Sequence, residues 1–250
     1  MGDSYSNNSY VKVRYFSRNI DDTYDFKPTS YKNLQVYSEY YTTSHSFTPE
    51  IFLSSSRAKA KFIDDNDEIK GFVRETFEIL LKKELPDNMS IHILPFGEFK
   101  DLHSRFGRWS NGILGFSING NNKVIFVMEN RLDALMIVIG HEIGHVLTET
   151  LPNKHDEEAK AFAFSIEWAK TIKKHNIANL ALSIKDEIGF QPARNGLHDV
   201  AFSFVDFMVK RGRKAIELHD DLVRKYSSVF NIYSITKSKA TVWHDSQKLI

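Results

Sequence analysis

The sequence predicts an α+β fold: a compact set of helices packed on a small mixed sheet, with a mainly helical C-terminal extension. Three observations carry this expectation. Apolar residues recur at helical spacing between residues 65 and 84, two apolar stretches flank Asn119-Gly120, and Leu132 to Leu147 is apolar on nearly every side. With 250 residues, 42% of them hydrophobic, the chain suits one ordinary domain with appendages, or two small ones, and can bury a substantial core.

Residues 1–60 form a segment rich in Tyr, Ser, Asn and Thr. Val11, Val13 and Tyr15, and again Leu34, Val36 and Tyr40, alternate with period two, as half-buried strands do. The segment reads as strands or a partly disordered extension; the sharper reading is a cover over a cleft. Residues 61–180 form the compact domain. Its first helix places Ile69, Phe72, Val73, Phe77, Leu80 and Leu81 on one face, with Asp64 or Asp65 as N-cap and Pro86 as stop. Ser90 to Phe96 follows as a strand, then a short helix through Phe99, Leu102 and Phe106 ending at Gly107. Ile113 to Ile118 and Lys123 to Glu129 form a hairpin about Asn119-Gly120, since both turn residues tolerate positive φ. Leu132 to Leu147 is a buried helix, and after Pro152 another helix starts near Asp156. Residues 181–235 add a helical part packed on the domain, with Val200, Phe202, Phe204, Val205, Phe207 and Met208 as its apolar run and Lys210 to Lys214 as a solvated basic end. Residues 236–250 are a tail.

Composition removes several classes. The chain carries 33 Lys+Arg against 32 Asp+Glu, so no basic excess is available for a phosphate backbone and nucleic-acid binding is not expected. Without cysteine there is no disulfide scaffold, thiol nucleophile or Cys-ligated metal; any ion must be held by His and carboxylates. Met1 to Tyr10 lacks the basic start and apolar core of a secretion signal. The most apolar window, Leu132 to Ile139, is too short to span a bilayer. A soluble, cytoplasmic chain is the expectation.

The buried helix contains His141-Glu142-Ile143-Gly144-His145. Histidines at i and i+4 lie one above the other on a helix face, so their imidazoles converge on one ion without bending the backbone. Zinc suits imidazole nitrogen and tetrahedral geometry. Glu142 stands beside the ion rather than on it, placed to take a proton from a metal-activated water. A shuffled chain of this composition would hold such a motif about 0.02 times. Two imidazoles and a carboxylate buried on so apolar a helix without a shared purpose would also be costly.

The residues after the motif narrow the class. Leu151 stands where a third histidine would mark the metzincin pattern. His155-Asp156-Glu157-Glu158-Ala159-Lys160-Ala161-Phe162-Ala163 instead resembles the gluzincins, zinc peptidases in which a glutamate from the next helix completes the site. The Glu158-to-Ala163 run looks like the corresponding segment of small gluzincins of the IrrE/ImmA or minigluzincin kind, over roughly residues 65 to 170.

The resemblance implies a zincin-like domain hydrolysing a peptide or protein substrate, with His141, His145 and Glu158 as zinc ligands and Glu142 as general base. His155 and Glu157 remain alternatives for the third ligand. The resemblance also gives Lys123 to Glu129 the role of an edge strand along which substrate lies, and makes His198, beside Asp199, the candidate oxyanion donor. Phe162 stands where larger family members place an aspartate supporting a zinc histidine, so that support must come from elsewhere; Asp199 and Asp156 are the candidates. Gly140 and Gly144 leave a smooth stripe for close packing. Two other readings remain: a zincin-like protein whose metal is structural and whose cleft binds a partner, and a nucleic-acid-associated protein using the Tyr-rich strands and Lys210 to Lys214.

Overall fold

The computed structural model describes residues 47–189 and 196–230, together with the backbone of Gln35–Val36. The fold is mixed α+β. The strands are β1 (Gln35–Val36), β2 (Phe62–Ile63), β3 (Met89–Leu94), β4 (Gly115–Asn119), β5 (Lys123–Met128) and β6 (Asn130–Arg131). The helices are α1 (Asn66–Leu81), α2 (Phe96–His103), α3 (Leu132–Val146), α4 (Lys154–His175), α5 (Gly196–Lys210) and α6 (Ala215–Val223). The predicted order from helix to hairpin to buried helix is the observed one. The predicted strands at Val11–Tyr15, and all of the second one except Gln35–Val36, lie outside the described residues, as does the tail.

Local chemistry sets the boundaries. Asp65 caps α1 by accepting from the Asp67 backbone N–H, and Lys82 ends it in the left-handed region at φ 56°. Pro95 stops β3 at Leu94, so Phe96, expected in the strand, begins α2 instead. Asn153 caps α4, its side chain accepting from His155 and Asp156 N–H, which starts that helix two residues before the expected Asp156.

The main sheet has the order β1-β4-β5-β3, with β3 parallel to β5 and the other pairs antiparallel. This corrects two expectations. β5 is an interior strand, hydrogen-bonded on both sides, so Lys123 to Glu129 cannot receive a peptide along its edge. The β4–β5 turn also excludes Asn119: residues 120–122 make the connection, and Asn119 is still in β4, paired with Gln35. Its side-chain amide leaves the turn altogether and donates to Thr148 O at 2.7 Å, just past the end of α3.

One face of the sheet lies on α3 and the other on α2, where Phe99, His103, Phe116 and Trp109 form an aromatic layer. Every residue of α3 is buried, because α4 covers the side that the sheet leaves open. The two helices meet at the glycine stripe. A Cβ on Gly140 would come within 2.4 Å of Trp168 Cδ1, and one on Gly144 within 2.8 Å of Ala161 Cα. Trp168 fills that space and donates its indole N–H to Met136 O at 2.8 Å. Helices α5 and α6 pack on α4. Phe47, Ile51, Phe52 and Leu53 join the core from the N-terminal side, although they fall within the segment set apart by composition.

Candidate metal centre

Helix α3 presents His141 and His145 one turn apart, and α4 faces them with Glu158, just past its first turn. All three are at most 2% exposed. The Nε2 atoms of the two histidines are 3.3 Å apart; Glu158 Oε2 lies 3.5 Å from that of His141 and 3.9 Å from that of His145. Zinc–ligand bonds of about 2.0–2.1 Å at tetrahedral angles set ligand atoms roughly 3.3–3.4 Å apart. The donor set and two of the three spacings therefore fit such an ion, and the third is within half an ångström.

Hydrogen bonding behind the rings fixes which nitrogen faces the gap. The Ser165 hydroxyl donates to Ala161 O at 2.7 Å, so toward His141 Nδ1, 3.2 Å away, its oxygen is free to accept. Nδ1 then carries the hydrogen and Nε2 the lone pair. His145 Nδ1 likewise donates to Glu157 Oε1 at 2.9 Å. At 3.3 Å, at most one of the facing Nε2 atoms can hold a proton, so at least one lone pair points into the gap, as a metal ligand's must.

Glu142 stands beside this gap. Burial pushes its carboxyl up to about 7, against the opposing effects of His145 and of the Ser117 hydroxyl. Ser117 donates to Glu142 Oε2 at 2.8 Å. Gly115, two residues earlier on the same face of β4, leaves room for the other oxygen: a Cβ there would lie 3.0 Å from Oε1 and 2.7 Å from Val138 Cγ1. Burial holds His141 down to about 3. Against its burial, the neighbouring His198 and His141 hold Glu158 well below the usual carboxylate range.

His198, in the first turn of α5, puts Nε2 2.9 Å from Glu158 Oε2. It touches the metal-facing carboxylate oxygen itself, and His141, Glu158 and His198 together form a group able to hold an ion, with ligand atoms all within 4.8 Å of one another. The alternative third ligands lie elsewhere. Glu157 is on the far side of the His145 ring, and His155 sets its ring edge-on to Phe230. Asp156 binds the Ser228 hydroxyl and the Val229 N–H, so it does not support His141 or His145; Asp199 lies beside His198 in α5. That support comes from Glu157 and Ser165, which sequence reasoning missed. Ser165 follows Glu158 by seven residues, two helical turns on the same face, and that spacing was the available signal. The basic residues 210–214 include ion pairs of Lys210 with Asp206, Arg213 with Asp221 and Lys214 with Glu217. No helix among the described residues is long and apolar enough to cross a membrane.

No known family, curated protein or solved structure matches the chain.

Proposed function

We propose that the chain is a zinc-dependent metallopeptidase with a zincin-like fold, similar to the small gluzincins, in which His141, His145 and Glu158 hold the ion. The observation that carries the reading is the convergence of two Nε2 atoms and a carboxylate oxygen in a buried gap, with both Nδ1 atoms engaged behind and Glu142 alongside. Zinc bound there would polarise a carbonyl and acidify water. Glu142 supplies the base, taking a proton from the attacking water and passing it to the leaving amine. Ser117 pins one of its oxygens, leaving the other to act. The strand nearest this base is β4, with which, among the described residues, β1 pairs at Ile118 and Asn119.

The test combines metal content with turnover. Glu142→Gln keeps zinc by elemental analysis and loses about 10²–10⁴-fold in peptide hydrolysis, whereas His141→Ala loses both. A Glu142→Gln protein as active as the parent would sink the peptidase reading. A second reading, a structural metal without turnover and a cleft that binds a partner, is favoured by one observation: the His198 imidazole lies close enough to the site to fill a fourth position. Under that reading His198→Ala lowers zinc affinity and no variant shows hydrolysis.

A further inference from the structure

Glu157 and Glu158 are adjacent, wholly buried carboxylates, yet only Glu158 faces the Nε2 atoms of the histidines. Something must choose between them. We propose that Lys160 is the positioning residue that does so, its ammonium holding Glu157 behind His145 and leaving the ion to Glu158. The proposal rests on the metal reading above.

Lys160 is fully buried. Its Nζ lies 2.8 Å from Glu157 Oε1, 3.1 Å from His145 O and 3.2 Å from Glu149 O. Three acceptors meet the three hydrogens of an ammonium. Glu157 is held just as fully. Oε1 takes the hydrogen of His145 Nδ1 at 2.9 Å as well as the lysine, and Oε2 accepts from the Leu151 N–H at 2.6 Å. The lysine thus ties the last turn of α3, the following loop and the first turn of α4 at the point where ligands from both helices meet. An anionic Glu157 buried without that cation would be costly. Under the metal reading, another positive charge, the ion, would lie across the His145 ring. A move toward it would compete with Glu158 and strip His145 Nδ1 of its acceptor, and such acceptors typically govern metal affinity by ten- to a hundredfold.

The experiment measures zinc Kd on the full chain by competition with a chromophoric chelator, beside the apoprotein melting temperature. Lys160→Met is expected to raise Kd about tenfold or more, as is Glu157→Gln, and the double variant is no worse than the weaker single, because the two side chains act as one unit. A role in folding alone would lower the apoprotein melting temperature and leave Kd within twofold of the parent, which overturns the proposal. So does an additive double variant. If Lys160→Met does not fold, Glu157→Gln is compared with the double variant, which buries no charge at either position: equal Kd supports the proposal and a further tenfold loss overturns it. A parent that binds no zinc ends the metal reading and this inference together; a parent that binds zinc while Lys160→Met matches it ends only the inference.

Discussion

Gly115 bears on the chemistry through what it lacks. A methyl group there would press on Val138 and on Oε1 of Glu142, both on a helix with no exposed residue to give way. Displacing a catalytic group by about an ångström can cost about 10²-fold in rate. Gly115→Ala should therefore lose hydrolysis on that order while zinc stoichiometry stays at the parental value; steady-state kinetics beside elemental analysis checks both halves, and unchanged turnover counts against Glu142 as the base. Ser117→Ala is milder, since it frees one carboxylate oxygen without moving the backbone. A rate loss smaller than that of Gly115→Ala, with unchanged metal content, is its expected signature.

At the scale of elements, the crossing of α3 and α4 does most to build the candidate site, because each helix contributes proposed ligands that the other must meet. Gly140→Ala drives a Cβ into Trp168. Overpacking of a filled core costs about 1–3 kcal/mol, so the melting temperature should drop by several degrees, and a variant as stable as the parent would mean that the crossing has slack. Much of this level was legible in the sequence. Helical spacing marked α1, an apolar run on nearly every side marked α3, the i, i+4 histidines marked the proposed ligand face, and the two glycines marked the crossing. What escaped was strand order. Alternation in Val124, Phe126 and Met128 reports which residues share a face but not which strands lie alongside, so an interior strand read as an edge. Asn119-Gly120 misled for a related reason: the asparagine that fits a tight turn is spent instead on carbonyls in the last turn of α3 and just past it. At the site, the motif fixed its own three residues, whereas Ser165, Glu157 and Lys160 emerge only once α4 is laid against α3.

The molecule as a whole should be sensitive to acid. Burial, helped by Lys70, holds His92 down to about 4, and burial likewise lowers His103. Their folded values lie below that of a free imidazole, about 6.5. In acid the unfolded chain therefore takes up protons that the folded chain refuses. This contribution is complete above about pH 6.5, and the His92 part is lost as pH falls toward about 4. Melting temperatures from pH 7.5 to 4.5 should fall, and less steeply in His92→Gln; parallel slopes would remove His92 from the account. Neither ring is among the proposed metal ligands, so the trend should persist in the apoprotein.

Phe47 lies flat on His141, with ring centroids 4.0 Å apart and 17° between the planes. An indole substituted there would stack against the same imidazole, so its emission should respond when the ring's electron pair is claimed. That gives an optical titration of loading that requires no knowledge of a substrate.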